Sequence, residues 1–237
     1  MEFAAAGVER QLEARLRSGG ARLSHPSLLA RVAEKALGPA TDRIVDLGSG
    51  CGELPALLGR NAAGLDLCRS LLDRAGGAPR IQGDVERLPL GTGRVDRATL
   101  VLVLHYVSRP ARALAEAARI LRPGGRLIVA DRIASPDPGL RAAQDRIERL
   151  RNPSLHRILT PGEIEDAMRA AGLEVRESEP FEDALPLESW LAGVDSERGL
   201  RIAKELAGLP TADLGGLVLD PGGRIRLRIR IYVAGKP

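Results

Sequence analysis

Residues 43–54 read Arg43-Ile44-Val45-Asp46-Leu47-Gly48-Ser49-Gly50-Cys51-Gly52-Glu53-Leu54. The stretch is an apolar strand that ends at an acidic residue, passes through three alternate glycines and enters a helix. Glycine has no Cβ, so it adopts positive φ angles and lets a ligand approach the backbone closely. The helix that follows points its free N–H groups at whatever the loop holds. This pattern predicts a nucleotide-binding loop at the carboxyl end of the first strand.

The spacing of the glycines argues against a dinucleotide. In the G-x-G-x-x-G fingerprint of NAD- and FAD-binding folds, the third glycine stands five positions after the first. Counted from Gly48, that position is Glu53, whose carboxylate would face a pyrophosphate of the same charge. The spacing here is D-x-G-x-G-x-G, in which Asp46 can receive an ammonium group. A nicotinamide oxidoreductase is therefore disfavoured.

Composition narrows the class of protein. The 237 residues suit a single α/β domain over residues 1–237. No stretch of 18 uncharged apolar residues occurs and the first thirty residues carry many charges, so we expect no membrane span, no secretory signal and a cytoplasmic protein. The two cysteines and three histidines show no metal-ligand spacing, which predicts no metal.

The charge pattern bears on macromolecular partners. The net charge of +4 arises from 35 basic and 31 acidic residues that are mostly interspersed, which is typical of a solvated surface. Aromatic side chains, on which single-stranded nucleic acid stacks, are scarce. They are Phe3, Tyr106, Phe181, Trp190 and Tyr232. A nucleic acid partner is therefore the weaker alternative to a small molecule.

Two helices are expected before the first strand. Apolar residues recur at helical spacing over residues 8–16 and again over residues 26–37. Residues 1–40 then form an N-terminal helical cover. This cover either closes over the bound ligand or only packs on the sheet.

Acidic residues also end the second and third strands. Asp66 ends a short strand at residues 63–67 and stands twenty residues after Asp46. A carboxylate there can accept both hydroxyls of a ribose, or it can cap the next helix. The third strand, residues 80–82, delivers Asp84 and Val85, which are otherwise an ordinary turn pair. Three acidic strand ends beside one glycine loop favour ligand binding.

Two further strands complete the ordered part of the pattern. The fourth, residues 95–103, is almost continuously apolar, as expected for a strand covered on both faces. It leads into Leu104-His105-Tyr106-Val107. Residues 119–131 read as a helix end, a Pro-Gly-Gly turn and a buried fifth strand that ends at Asp131.

Taken together, these segments resemble the class I S-adenosylmethionine-dependent methyltransferases. Residues 46–52 are similar to the family's motif I, and Gly64-Leu65-Asp66-Leu67-Cys68 to its motif II. Asp84-Val85 and residues 119–131 match later family segments, in the right order and over about a third of the chain. Residues 95–110 resemble the ubiquinone/menaquinone-biosynthesis branch, which acts on small molecules.

The resemblance implies a fold and a cofactor. The fold is a Rossmann-like sheet of seven mostly parallel strands in the order 3-2-1-4-5-7-6, with strand 7 antiparallel and helices on both faces. The cofactor is S-adenosyl-L-methionine, which leaves as S-adenosyl-L-homocysteine. The cofactor-binding residues that it implies are Asp46, Gly48, Ser49, Gly50, Asp66, Leu67, Asp84, Val85 and Val101. That branch commonly has a small polar residue at the position of Val101. The contact of Val101 with the cofactor is therefore expected from its backbone.

Two insertions and the last strand are expected to shape the substrate side. Residues 135–159 and 179–219 interrupt the alternation of strands and helices, and they are predicted to form a substrate cap over the carboxyl edge of the sheet. The last strand, residues 224–234, alternates strictly. Its one face carries Arg224, Arg226, Arg228 and Arg230, which form a solvated face, a subunit contact or an anionic-ligand patch.

Methyl transfer from a sulfonium is a direct displacement, in which good alignment is worth roughly 7–11 kcal/mol. The implied acceptor is an oxygen, nitrogen, carbon, sulfur or arsenic atom of a small molecule, and the protein is expected to be a monomer or homodimer. Near the expected cleft stand His105, Tyr106, Asp131 and His156. His105 is the candidate catalytic base because histidine titrates near neutral pH. A nucleic-acid or protein methyltransferase and a non-catalytic cofactor-binding accessory protein remain open alternatives.

Overall fold

The computed structural model describes residues 25–74, 76–208 and 213–237. The helix predicted over residues 8–16 lies outside these ranges. One sheet of eight strands organises the described chain. The strands are β1 Ile44–Leu47, β2 Ala62–Asp66, β3 Arg80–Gln82, β4 Val95–Val101, β5 Leu121–Arg132, β6 Glu174–Pro186, β7 Leu217–Leu219 and β8 Arg224–Gly235.

The order of the strands confirms the predicted topology. The sheet runs β3-β2-β1-β4-β5-β8-β6, and the short strand β7 pairs with β8 beyond the end of β5. Strands β1 to β5 pair in parallel, whereas β8 is antiparallel to both β5 and β6. β8 is therefore the antiparallel seventh strand of the prediction, and β7 is an addition to it.

Eight α-helices and one 3₁₀ turn lie within the described ranges. The helices are α1 Pro26–Ala36, α2 Glu53–Leu58, α3 Arg69–Leu72, α4 Pro110–Ile120, α5 Pro138–Arg151, α6 Pro161–Ala170, α7 Leu187–Trp190 and α8 Ser196–Ala207, and the 3₁₀ turn is Leu104–Tyr106. Proline at the first turn starts α1, α4, α5 and α6, where its missing N–H costs no hydrogen bond. None of these helices is long and apolar enough to cross a membrane.

Apolar side chains from the helices form a core on each face of the sheet. One face carries α1 and α2, whose buried residues pack with Ile128 and Ile231. The other face carries α4 and α6, packed against Leu127 and Val129. A third cluster lies around Trp190, between α5, α8 and the outer part of β8. The sheet is thus covered on both faces, which leaves its carboxyl edge for ligands.

Two predicted boundaries are wrong in a way that matters for the site. The fourth strand ends at Val101 rather than at residue 103, because Leu102 adopts a positive φ of 57°. Strand β6 runs from Glu174 to Pro186, so the first eight residues of the predicted insertion 179–219 are strand. The insertion also contains α8.

Candidate functional site

The glycine loop between β1 and α2 has the conformation that its sequence predicts. Gly48, Gly50 and Gly52 have φ angles of 80°, 56° and 77°, which side chains with a Cβ rarely adopt. A Cβ at Gly48 would lie 2.4 Å from Cγ2 of Val103. The loop therefore packs directly on the chain that leaves β4, and glycine is required there by space as well as by conformation.

Asp66 holds this loop from the end of β2. Its Oδ2 accepts a hydrogen bond from the backbone N–H of Gly50 at 2.8 Å, and its Oδ1 accepts one from that of Cys68 at 2.9 Å. Burial raises the pKa of Asp66, and these backbone donors oppose the increase. The N-cap of α3 is Cys68, without a side-chain cap. Asp66 therefore orients the glycine loop instead of capping the helix.

Asp46 lies beneath the same loop and is almost fully buried. Its Oδ1 accepts a hydrogen bond from Oγ1 of Thr99 at 2.6 Å. Burial raises the pKa of Asp46 to about 7, and the nearby Asp66 adds to the increase. A carboxyl group in this state is half-ionised near neutral pH, and a bound cation would stabilise its charged form.

The segment after β3 forms a compact turn. Oδ1 of Asp84 accepts a hydrogen bond from the backbone N–H of Glu86 at 2.8 Å, as expected of an aspartate turn. The buried Glu86 then accepts from the hydroxyl of Ser108 at 2.7 Å and from the backbone N–H of Arg109 at 2.9 Å. The turn that carries Asp84 and Val85 is thus fixed to the chain that follows the 3₁₀ turn.

The ends of β4 and β5 bring two of the four candidate catalytic residues together. Nδ1 of His105 lies 2.6 Å from Oδ1 of Asp131. Oδ2 of Asp131 accepts from the backbone N–H of Leu104 at 2.7 Å, and its Oδ1 also accepts from that of Arg132 at 2.7 Å. His105 lies on the 3₁₀ turn and not at the end of a strand, and its side chain is only 4% exposed.

The other two candidates frame this pair without joining it. The Tyr106 ring is centred 4.2 Å from the His105 ring, and its hydroxyl accepts a hydrogen bond from Nδ2 of Asn152 at 2.8 Å. The backbone N–H of His156 donates to the carbonyl of His105 at 2.9 Å, while its side chain is exposed. The loop after α5 therefore closes over His105 through backbone and amide contacts.

Two of the four arginines on the β8 face form ion pairs. Arg228 pairs with Asp213 at 2.7 Å and Arg226 with Glu182 at 3.3 Å. Arg230 donates to the hydroxyl of Ser178 at 3.1 Å. These contacts fit a solvated, paired face better than an anionic-ligand patch.

No group of three histidine, cysteine or acidic side chains within the described ranges can hold a metal ion.

Comparison with known proteins identifies the fold and the class. Residues 45–129, from β1 to β5, match the family model of a methyltransferase domain. This part of the chain, about a third of its length, is similar to S-adenosylmethionine-dependent methyltransferases. The uncharacterized methyltransferase YcgJ of Bacillus subtilis is 25% identical over 181 residues, which cover 70% of this chain and 72% of that protein. The crystal structure of YcgJ has the same fold, with a TM-score of 0.82, 22% identity, and coverage of 90% and 99%.

Two relatives of the chain have names that specify an acceptor. The 27-O-demethylrifamycin SV methyltransferase of Amycolatopsis mediterranei is 28% identical over 178 residues, covering 68% of this chain and 64% of that protein. The malonyl-[acyl-carrier protein] O-methyltransferase of Methylococcus capsulatus is 35% identical over 113 residues, covering 43% and 40%. The chain spans less than two thirds of both proteins. These comparisons do not select the ubiquinone/menaquinone branch, which stays a prediction.

Proposed function

We propose that this methyltransferase moves a methyl group from S-adenosyl-L-methionine to a nucleophilic atom of a small molecule by direct displacement. The observation that carries the proposal is the joined set of strand ends at one edge of the sheet. Asp66 is hydrogen-bonded to the glycine loop, and Asp46 is buried beneath it. This arrangement offers carboxylates to an ammonium group and to a ribose.

The loop has room and unused hydrogen-bonding capacity for this cofactor. The hydroxyl of Ser49 is buried without a hydrogen-bond partner in the described part of the protein, which costs free energy unless a ligand satisfies it. A Cβ added at Gly50 would meet open space. An unpaired hydroxyl beside an open backbone supports binding of the methionine end at Gly48, Ser49 and Gly50.

The remaining contacts follow from the positions of the strand ends. Asp46 would receive the ammonium group, and Asp66 the ribose hydroxyls, with Leu67 beside the sugar. Asp84 would accept from the adenine amine while the backbone N–H of Val85 reaches a ring nitrogen. The backbone at Val101, the last residue of β4, would line the methyl-transfer side. When bound, the cofactor supplies an electrophilic methyl group.

An oxygen atom is the acceptor that the related proteins support best. Two sequence relatives with named acceptors, the 27-O-demethylrifamycin SV and malonyl-[acyl-carrier protein] methyltransferases, specify an oxygen. Methylation of a hydroxyl releases a proton, and the pair of His105 and Asp131 can take it. A carboxylate only accepts hydrogen bonds, so Nδ1 of His105 donates to Asp131 and Nε2 is left as the proton acceptor. We therefore propose His105 as the catalytic base and Asp131 as the residue that positions it.

Calorimetry and a turnover screen test this function. S-Adenosylhomocysteine should bind the wild-type protein, and NADH should not. Quinone precursors, phenols, alcohols, amines and arsenite should then be screened for production of S-adenosylhomocysteine, with turnover expected for a hydroxylated compound. Tight NADH binding without binding of S-adenosylhomocysteine would overturn the cofactor assignment. Cofactor binding with no turnover on any class would indicate an accessory protein.

The raised pKa of Asp46 predicts a pH-dependent affinity. Only the ionised carboxylate attracts the ammonium of S-adenosylhomocysteine, so the affinity should fall by up to about tenfold for each pH unit below about 7. Calorimetry between about pH 5 and 8 measures this slope. Asp46→Asn should bind more weakly than the wild type at pH 8, and its affinity should vary much less with pH. An equal slope in the variant would show that another group controls binding.

The same carboxyl group should reduce the stability of the ligand-free protein. Its pKa is raised in the native state, so the native state binds more protons than the unfolded state between about pH 4 and 7. The free energy of unfolding therefore falls as pH rises through this window. Asp46→Asn should increase the free energy of unfolding at pH 8 by up to roughly 4 kcal/mol, measured by urea denaturation, with little change near pH 4.

A further inference from the structure

A second histidine–aspartate pair lies on the opposite side of the site. His25 immediately precedes α1, and its Nδ1 is hydrogen-bonded to Oδ2 of Asp183, which belongs to the part of β6 that was predicted as an insertion. The two side chains are 16% and 21% exposed. They are therefore within reach of solvent, whereas the His105 side chain is 4% exposed.

The strand register places this pair above the carboxyl edge of the sheet. Arg132, the last residue of β5, pairs with Ile229 of β8. Asp183 pairs with Leu227, which stands two positions before Ile229 in β8 and beyond the last residue of β5. Two residues of a strand span about 7 Å. Asp183 therefore projects past the end of β5, on the side of the sheet edge where cofactor and acceptor meet.

His25 also lies close to the cofactor loop. Glu53 is the first residue of α2, directly after Gly52. Burial raises the pKa of Glu53, and the nearby His25 imidazole opposes that increase. In the sheet, β4, β5 and β8 separate β1, which carries the loop, from β6, which carries Asp183. Because α1 and α2 pack on the same face of the sheet, His25 lies on that face, and its contact with Asp183 sets it at the level of the carboxyl end of β5.

The position of His25 is fixed by the rest of α1. Arg31 makes two hydrogen bonds to the carboxylate of Glu179, at 2.8 and 2.9 Å. Lys35 pairs with Glu177 at 2.8 Å. Leu28 and Val32 on the inner face of the helix are fully buried. The helix is thus held along β6, so His25 is presented by a packed element.

The hydrogen bond to Asp183 also defines what His25 can bind. A carboxylate is an acceptor only, so Nδ1 donates, and in the neutral imidazole Nε2 then presents a lone pair. Nε2 makes no hydrogen bond to another residue in the described ranges. With Glu53 and Asp183 as its acidic neighbours, this position disfavours an anionic group. It suits a hydroxyl or an amino group that donates a hydrogen bond.

We propose that His25, positioned by Asp183, contacts the methyl acceptor and selects acceptors that carry a hydroxyl or amino group. This inference rests on the proposed function, because it takes the transferable methyl to lie over the ends of β4 and β5. It assigns the two histidines to different tasks. His105 takes the proton of the reacting atom, and His25 orients the acceptor from the opposite wall.

Nuclear magnetic resonance of the three histidine side chains tests the placement. The chain has histidines only at positions 25, 105 and 156, so single substitutions assign every imidazole signal. The probes are S-adenosylhomocysteine and sinefungin, an analogue that carries an amino group where the transferable methyl lies. Sinefungin should shift the His25 signals relative to S-adenosylhomocysteine and leave those of His156 unchanged. Identical His25 signals in the two complexes would overturn the inference while leaving cofactor binding intact.

Kinetics with the acceptor found in the screen tests the role. His25→Asn keeps an amide near the Nδ1 position, for the contact with Asp183, and deletes Nε2. We expect its KM for the acceptor to rise at least tenfold while its affinity for S-adenosylhomocysteine stays within twofold. Arg169→Ala removes an ion pair with Glu165 on α6, which plays no part in positioning His25, and should leave the acceptor KM unchanged. An unchanged KM in His25→Asn would contradict the inference, and loss of cofactor binding by the wild type would remove its basis together with the proposed function.

Discussion

Replacement of Asp66 by alanine is expected to weaken the binding of S-adenosylhomocysteine at least about 100-fold, which corresponds to about 3 kcal/mol. Two losses add up. The ribose loses its carboxylate acceptor, and the backbone N–H groups of Gly50 and Cys68 lose the oxygens that hold the glycine loop against β2. A charge-assisted hydrogen bond contributes roughly 1.5–3 kcal/mol. Calorimetry at pH 8 measures the effect directly.

A neighbouring acidic residue provides the matched control. Asp73 follows α3 and pairs with Arg69 on the exposed surface, at 2.9 Å. Asp73→Ala removes the same functional group seven residues away, without a contact to the glycine loop, and should bind within twofold of the wild type. Asp66→Asn retains an acceptor oxygen, so its affinity for S-adenosylhomocysteine should lie between those of Asp66→Ala and Asp73→Ala. If Asp66→Ala also bound within threefold of the wild type, the assignment of the ribose to Asp66 would be wrong.

The central part of the fold was predictable because local signals there agree with the tertiary structure. The third strand was predicted at its observed bounds, Arg80–Gln82. The glycine loop has the positive φ angles that its residues indicate. Strict alternation over residues 224–234 predicts the last strand, which spans Arg224–Gly235, whereas its antiparallel direction was implied by the family resemblance. Each of these segments has a hydrophobic period and a turn residue that favour one conformation.

The extension of β6 was missed because its residues resemble a loop. Pro180, Pro186 and several acidic residues interrupt any apolar run. In the structure β6 lies at the edge of the sheet, where proline is tolerated. Glu179 pairs with Arg31 of α1, and Glu182 with Arg226 of β8. Ion pairs with distant residues thus stabilise a strand that local preference does not predict.

The candidate site was predictable where spacing along the chain determines it. Asp46 and Asp66 both end parallel neighbouring strands, so their proximity follows from the motif. Leu102 carries no such signal, because leucine rarely adopts the positive φ that it has at the end of β4. The pair of His25 and Asp183 joins residues 158 positions apart. Neither feature can be derived without the tertiary structure.

Replacement of His105 by asparagine is expected to reduce turnover of a hydroxylated acceptor about 10²–10³-fold, within the range that a general base contributes. The asparagine amide can still donate to Asp131, as Nδ1 does at 2.6 Å, whereas the nitrogen that takes the proton is lost. The affinity for S-adenosylhomocysteine and the midpoint of thermal unfolding should therefore change little. Steady-state kinetics with the acceptor from the screen, together with calorimetry, separates these effects.

The controls distinguish a base from a structural histidine. His156→Asn removes the exposed histidine of the neighbouring loop and should retain the wild-type rate. Asp131→Asn should lose much of the rate as well, because an amide at this position no longer fixes which nitrogen of His105 carries the proton. A more alkaline reaction should partly restore the rate of His105→Asn with a phenol, since the phenolate then forms without a base. If His105→Asn kept its rate within threefold and lost thermal stability instead, the pair with Asp131 would serve the fold and the proton would leave by another route.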